Sequence, residues 1–497
     1  MIDFPAYLTT DMGVEARRLS SDSRDLRPGD IFIAYPGGQV DGRRYIAQAI
    51  EKGASAVIWE ASGFTWDEAW QVPNHAVYGL REKAGLLADR ICGFPSRKLW
   101  MVGITGTNGK TSCCHWLAQA FGALGRKAAM LGTLGNGFPG ELMPTANTTP
   151  DAVKVHGLLA QFVGKGAEVV AMEVSSHALS QGRVNGVKYD VALLTNLSRD
   201  HLDYHGDMQT YAAAKRRLFD WSGLKYAVVN LNDPFGGELA EQLKDTGPEV
   251  VGYGIGEEAL QRAERLGIRM VGAVDLRVSN DGMDFAIRSS WGSARLHSAL
   301  LGRFNALNLL GALATLLVSG VALADAVREM SAVAPVAGRM QRLGGNGKPS
   351  VVVDYAHTPD ALDKVLEALR EVTDAQGGKL YCVFGCGGNR DRGKRPMMGT
   401  VADKLANWSI VTSDNPRNEA PQAIIDEIER GMRGNKHEAV VDRAEAIRRA
   451  IRKAGANDTV LIAGKGHEQY QEIAGVRQPF SDAEVAQAVL QELEIVA

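Results

Sequence analysis

Three short stretches combine the residue types that chemistry needs. TGTNGKTS, residues 105–112, lies between the apolar run KLWMVGI and the helix-like SCCHWLAQAFGALG. In such a strand, loop and helix setting, backbone N–H groups and the helix N-terminus cradle phosphates, Lys110 neutralises them, and the Thr111 hydroxyl is placed to ligate Mg²⁺. The strict GxxxxGK[ST] spacing fails, because its first glycine would fall on Ile104 and Gly103 stands one residue too early. A glycine-rich turn is the alternative, but the flanking strand and helix favour a nucleotide site. A second group follows two further apolar runs: Glu173 closes AEVVAME, and NLSRDHLDYHG carries Asp200, His201, Asp203 and His205. Carboxylates at the edge of an open α/β sheet suit Mg²⁺, whereas imidazole is a less usual ligand for so hard a cation. Each of these residues alone reads equally well as a polar surface loop; their shared sheet edge favours a metal site. The third stretch, SDNPRNE, ends the apolar run WSIV with an Asn-Pro turn and brings together Asp414, Asn415 and Arg417.

One residue stands out by helical geometry. In DMQTYAAAKRRLFDW, helical spacing puts Tyr211, Lys215, Leu218 and Phe219 on one face and turns Arg216 and Arg217 elsewhere. Lys215 is therefore expected to point inwards. Taken alone, the pattern favours a lysine whose head snorkels to solvent past an apolar face. The sharper alternative is a functional amine whose charge is altered or paired, since an isolated buried ammonium is costly.

These residues need a scaffold of strand ends. A chain of 497 residues is too long for one ordinary core and suggests about three domains. DIFIAY and ASAVIWE, around the helix-like RRYIAQAIEKGA, predict a small α/β unit up to about residue 90. From Lys98, KLWMVGI, AEVVAMEVS, YDVALLTNL and KYAVVNLND read as parallel strands covered on both faces. DLRVS and MDFAIRS around NDG predict an antiparallel insertion, and APVAG, residues 334–338, a linker. Beyond it, SVVVDYA, KLYCVFGC, WSIVTSD, EAVVD and TVLIAGKG alternate with helical patterns, as a second parallel sheet requires. The expected fold is α/β with three domains, at 1–92, 93–335 and 336–497: a small N-terminal α/β domain, a central P-loop-type parallel sheet with an antiparallel insertion, and a C-terminal Rossmann-like α/β domain.

Composition excludes several roles. The 55 Lys plus Arg against 58 Asp plus Glu leave a net charge of -3, with no overall attraction for nucleic acid or anionic lipid. The apolar run at 309–324 is too short to span a bilayer and predicts a buried helix and turn. Five cysteines without zinc-ligand spacing read as reduced cytosolic thiols, and MIDFPAYLTTDMG lacks a signal-peptide layout. A cytoplasmic protein without nucleic-acid partner or membrane insertion is expected.

TGTNGKT, ANTTP, MEVSSHAL, NLSRDHLDYHG, YAAAKRRLF, GRFNALN, DYAHTPDAL, GCGGNRDRGKRP, DNPR and AGKGHE occur in one order along the chain. Together they closely resemble the Mur ligases of peptidoglycan synthesis, and among them the diaminopimelate-adding type, over essentially all three proposed domains. The resemblance implies an ATP- and Mg²⁺-dependent monomer that joins meso-diaminopimelate to UDP-N-acetylmuramoyl-L-alanyl-D-glutamate through an acyl phosphate. It implies ATP contacts at Gly106, Thr107, Asn108, Gly109, Lys110, Thr111, Asn305, Arg339 and Asp354, with His357 in the catalytic set. Metal ligation falls to Thr111, Glu173, His201 and Lys215, the last matching the lysine that family members carry as a carbamate (N6-carboxylysine). The UDP-sugar substrate would meet Ser23 in the first domain and Thr148, Thr149, Ser175, Gln181 and Arg183 in the central cleft.

For diaminopimelate, which is lysine with a carboxylate added at its far carbon, the resemblance implies Arg390, Asp414, Asn415, Arg417, Gly464 and Glu468. The planar fork of Arg417 can hold that far carboxylate bidentately, and lysine would leave the fork unpaired. The chain departs from the family pattern at Arg43, where histidine is frequent after the DG pair, and at Asn389, where many members carry Asp. A lysine-adding Mur ligase or a folylpolyglutamate synthase would share the ATP chemistry; DNPR argues against the first and the muramyl-type first domain against the second. A nucleotide-dependent switch without catalysis would need neither Lys215 nor AGKGHE.

Overall fold

A computed structural model describes residues 18–38, 40–279, 282–345 and 347–496. The N-terminal stretch read for a leader, and Asn280 and Asp281 of the expected hairpin turn, lie outside the described residues. Three principal sheets hold the architecture, each made of strands whose alternate side chains enter two different cores, as sheets covered on both faces must. In the first, Leu19–Ser20, Ile31–Ala34, Ala56–Glu60 and Asn74–Val77 run parallel in that order. Ile31, Ile33, Ala56 and Ile58 pack with Leu80, Ala84 and Ala88 of the helix Leu80–Ile91, while Phe32, Ala34, Val57 and Trp59 pack with Ile46 and Ala49 on the other face.

The central sheet has 11 strands. Its parallel centre, in spatial order, is Arg269–Ser279, Glu249–Ile255, Tyr226–Asn230, Val191–Leu194, Trp100–Thr105, Val169–Glu173 and Ala128–Gly132. The expected antiparallel insertion is present, with Arg269–Ser279 paired to Gly282–Ser289 and that strand to Gly292–Ser298. A second antiparallel extension, Gly135–Phe138 and Glu141–Met143, sits at the opposite edge; it is too short and glycine-rich to show a strand pattern in the sequence. Lys110–Ala123 and Arg303–Val318 cover one face and Ala152–Gly164 the other. The long apolar run is indeed a buried helix, followed by a turn, and no helix among the described residues is long and apolar enough to cross a membrane.

The third sheet has the order Gln341–Gly344, Ser350–Asp354, Thr459–Ala463, Leu380–Phe384, Trp408–Thr412, His437–Val440, with only the first pairing antiparallel. The last-formed parallel strand, Thr459–Ala463, is inserted between the two that come first, so the order reverses there and opens a crevice at the carboxyl ends. All five cysteines are free thiols, and all but Cys92 are buried.

Candidate active site

The loop at 106–109 leaves the strand Trp100–Thr105 and enters the helix Lys110–Ala123 at φ values that glycine favours, +148° at Gly106 and +84° at Gly109. A Cβ at Gly106 would collide with Thr195 Oγ1, and one at Gly109 with Asn308 Oδ1. The Thr107 N–H donates to Asn196 O (2.9 Å) and the Asn108 N–H to Asn196 Oδ1 (3.0 Å), fastening the loop to the neighbouring strand end. Lys110 Nζ folds back onto Gly106 O (2.9 Å) and Thr107 O (2.8 Å). Burial depresses its ammonium below the usual range, although Glu173 and Asp200 pull the other way.

Thr111 Oγ1 donates to Glu173 Oε2 (2.9 Å), and Glu173 is fully buried at the end of its strand. Thr133, which the sequence reading missed, donates to the same carboxylate through its N–H (2.8 Å) and Oγ1 (3.2 Å), and its hydroxyl also reaches Thr148 Oγ1 (3.1 Å). His201 takes the left-handed conformation, φ +55°, beside Asp200, whose Oδ2 lies 3.3 Å from His201 Nε2. Burial alone would raise the Asp200 carboxyl; the nearby imidazole of His357, with the charges of His201 and Lys394, holds it far below the carboxylate range instead. Among the described residues no three His, Cys, Asp or Glu side chains converge as a ready-made metal cage. The buried Thr111–Glu173 pair offers a hydroxyl and a carboxylate, the oxygen donors that a hard cation such as Mg²⁺ takes.

Lys215 does point inwards, and it does not snorkel. Its side chain is 1 % exposed, its Nζ donates to Gly106 O (2.7 Å) and sits 4.5 Å from the centre of the Tyr211 ring. Tyr211, on the same helix Met208–Arg216, is buried with it as the spacing predicted; Leu218 and Phe219 are buried too, but in the turn beyond the helix end. Burial, and then the charge of Lys110, pushes the Lys215 amine well below the lysine range. Both amines thus converge on one carbonyl oxygen, that of Gly106.

The third sheet completes this cleft. Arg339 Nη2 donates to Thr111 Oγ1 (3.3 Å), His357 Nε2 lies 3.7 Å from Asp200 Oδ2, Asn108 Nδ2 donates to Asp360 Oδ2 (3.2 Å), and Arg199 pairs with Asp391 (3.3 Å). The resulting cavity, ≈ 360 Å³, is lined by the phosphate loop, Glu173, His201, Asn305, Arg339, Asp354 and His357, among others. Asn305 bonds Leu301 O (2.9 Å) through Nδ2, leaving it in the wall beside Asn308. Asp354 is taken up by the N–H groups of Met340 and Ala356, both at 2.8 Å, so it braces the turn that carries Arg339. The Arg339 guanidinium lies 4.2 Å from the centre of the Tyr355 ring.

A second group of charged and polar side chains gathers at the carboxyl ends of Leu380–Phe384, Trp408–Thr412 and Thr459–Ala463. Arg390 Cγ and Arg417 Nη1 lie 3.7 and 2.9 Å from where a Cβ on Gly387 would stand, so both arginines flank one glycine. Arg417, at φ +52°, donates Nη1 to Gly388 O (2.7 Å), and its backbone pairs with Glu472 and Ala474 of the hairpin Tyr470–Ile473 and Val476–Pro479. Asn415 donates Nδ2 to Glu468 Oε2 (2.8 Å), and Lys465, fully buried, donates to Asn415 Oδ1 (3.0 Å) and Glu468 Oε2 (2.9 Å). Glu468 is thus partly compensated by Lys465 already, which the sequence reading did not foresee. A Cβ on Gly464 would stand 2.5 Å from Asp414 Oδ2, which explains the glycine.

Three family models match the chain in series: "Mur ligase family, catalytic domain" at 15–91, "Mur ligase middle domain" at 104–316, and "Mur ligase, glutamate ligase domain" at 338–466. The chain belongs to the Mur ligase family. A relative from Chromobacterium violaceum, named UDP-N-acetylmuramoyl-L-alanyl-D-glutamate–2,6-diaminopimelate ligase, is 51% identical over 489 residues, 98% of this chain and 97% of that one. One of the same name from Nitrosomonas europaea is 49% identical, covering 98% of this chain and 95% of the relative. A solved structure under that name superposes with a TM-score of 0.67 at 36% identity, covering 97% and 96% of the two chains. MurF from Acinetobacter baumannii shares the fold, with a TM-score of 0.68 at 18% identity over 98% of both chains.

In this Mur ligase the residues expected around the UDP-sugar form a connected group. Thr149 Oγ1 donates to Glu173 O (2.8 Å) and accepts the Ser175 N–H (3.1 Å); Arg183 donates to Thr149 O (3.0 Å) and to Gln181 Oε1, by Nε at 2.9 Å and Nη2 at 2.6 Å. Thr148 lines the same cavity as Glu173 and the 107–112 loop. Ser23 is apart from them, buried in the first unit with its Oγ donating to Gln48 Oε1 (2.7 Å). Arg43 spends its guanidinium on the protein itself: Nε and Nη2 on Asp41, Nη1 on Glu60 O and Ser62 O, with the Phe64 ring centre 5.0 Å away. Asn389 occupies a left-handed position, φ +52°, that asparagine tolerates well, and accepts the Asn418 N–H (3.1 Å). Thr133 carried no sequence signal of its own; for Lys465 the one hint was its place inside AGKGHE, beside Gly464 and three residues before Glu468.

Proposed function

We propose that this Mur ligase joins meso-diaminopimelate to the D-glutamate γ-carboxylate of UDP-N-acetylmuramoyl-L-alanyl-D-glutamate at the expense of ATP. The carboxylate attacks the γ-phosphorus, ADP leaves, and an amino group of diaminopimelate attacks the acyl phosphate to form the amide and release phosphate. A carboxylate meeting a triphosphate is repelled, so the site must concentrate positive charge and N–H donors where the anions converge. Lys110, Arg339 and the N–H groups of 106–111 serve that need at the phosphates. Mg²⁺, when bound, would supply further positive charge there, and Thr111, Glu173, His201 and Lys215 as its N6-carboxylate would hold it. Lys215 suits that modification, because a neutral amine is the form that adds carbon dioxide, and burial disfavours its ammonium. Asn305 and Asp354 bound the nucleotide, while His357 and Asp200 link the third unit to the metal side.

Arg417 with Asn415 takes the far carboxylate of the incoming amino acid, and Glu468 with Asp414 and Gly464 its ammonium end; Arg390 adds charge at the rim. Ser23, Thr148, Thr149, Ser175, Gln181 and Arg183 receive the UDP-sugar. We take the enzyme to act as a monomer in a reducing cytoplasm, which suits its free thiols. One arrangement supports the reading: Arg339–Thr111 and His357–Asp200 bring the third sheet, whose strand-end loops carry Arg390 and Arg417, onto the phosphate-binding loop of the central sheet. The test is phosphate release by purified protein with ATP, Mg²⁺ and the UDP-muramoyl dipeptide, with diaminopimelate or lysine added. Release should depend on diaminopimelate; equal release with no amino acid present would refute it.

A further inference from the structure

Beneath the amino-acid pocket lies an ion pair that touches no reactant. Arg443, the first residue of the helix Arg443–Lys453, is fully buried against Asp482 at the start of Asp482–Val496, with Nε to Oδ1 at 2.7 Å and Nη2 to Oδ2 at 2.8 Å. Burying such a pair costs desolvation that apolar residues of like volume would avoid, so its presence calls for a geometric reason. The guanidinium supplies one. Nη2 also donates to Ala463 O (2.9 Å) and Nη1 to Ser413 O (3.3 Å).

Those two carbonyls end the strands Thr459–Ala463 and Trp408–Thr412, which are not neighbours: Leu380–Phe384 runs between them. One planar fork therefore spans the middle strand and ties together the two loops on either side of it. The residues just past Ser413 are Asp414, Asn415 and Arg417; those just past Ala463 are Gly464, Lys465 and Glu468. We propose that Arg443, anchored by Asp482, is a positioning residue that sets the separation between the carboxylate-binding arm and the ammonium-binding arm, and so lets the enzyme tell diaminopimelate from lysine. The inference rests on the amino-acid pocket assigned above.

The experiment uses the full-length enzyme and measures KM for ATP, UDP-muramoyl dipeptide and diaminopimelate, the diaminopimelate-to-lysine preference, and the melting temperature. Arg443→Met combined with Asp482→Leu removes both charges at similar volume and is expected to fold. Its KM for diaminopimelate should rise about tenfold or more, as a small misplacement of binding groups does, and its preference over lysine should fall, with the other two KM values unchanged. Asp482→Asn, which keeps the shape but weakens the anchor, should show a smaller rise, and Arg443→Lys should restore only part of the preference. An unchanged diaminopimelate KM and preference in the folded double variant overturns the proposal. So does an equal rise in all three KM values, or a loss of folding in both Asp482 variants, since either marks a general structural role. Wild-type enzyme that ignores diaminopimelate would instead overturn the functional assignment, before any variant is compared.

Discussion

Replacing Arg417 by alanine is the sharpest challenge to the selectivity argument. The guanidinium commits Nη1 to Gly388 O, sets Nε 3.9 Å from Glu472 Oε2 and leaves Nη2 for a ligand, and its side chain is 23% exposed. A hydrogen bond to a charged group contributes about 1.5–3 kcal/mol. Partial exposure favours the lower half of that range, since solvent screens the pair. About 1.5–2 kcal/mol corresponds to roughly a ten- to thirty-fold loss of kcat/KM for diaminopimelate. Lysine has no far carboxylate to lose, so its kcat/KM should hold or improve once an unpaired guanidinium no longer faces it. The preference ratio should therefore collapse by the same factor. The backbone should tolerate the change, because the Arg417 N–H and C=O keep their bonds to Glu472 O and the Ala474 N–H whatever the side chain. Phosphate release, measured with each amino acid at several concentrations, gives both ratios. An alanine variant that keeps the wild-type preference, with unchanged melting, would refute the assignment of the far carboxylate to Arg417.

Lys215→Met should abolish turnover without lowering the melting temperature, because it replaces a buried amine by an apolar side chain of similar length; full activity in that variant would remove Lys215 from the mechanism. In buffer freed of carbon dioxide, the depressed Lys215 pKa means that the unfolded chain binds the extra proton. Wild-type stability should then rise with pH up to about pH 10 more steeply than that of Lys215→Met, as thermal melts at stepped pH would reveal. Chelation of divalent metal should stop phosphate release and leave the far-ultraviolet circular dichroism unchanged, with activity returning on addition of Mg²⁺.

The strand-loop-helix of residues 100–123 was legible because consecutive residues build it, and the glycines mark φ values that other residues avoid. The inward face of Lys215 followed from helical spacing for the same local reason. What stayed hidden depends on partners far apart in sequence. Thr133 meets Glu173 across 40 residues, Lys465 meets Asn415 across 50, and Arg443 meets Asp482 across 39. Each is an ordinary polar residue until the chain closes around it. The second antiparallel edge escaped notice because GNGF and ELM are too short to alternate visibly. Arg43 shows the converse: a departure from the expected family pattern turned out to be absorbed by Asp41 and two carbonyls.

The phosphate loop and the pair of arginines around Gly387 grow from different sheets, each with its own hydrophobic cores. On the proposed assignment, substitutions that retune the choice of amine can accumulate in one set of loops without disturbing the machinery that spends the nucleotide. Such a division of labour lets a lineage of enzymes exchange its building block while inheriting its energy source intact, provided that the seam between the two bodies is preserved.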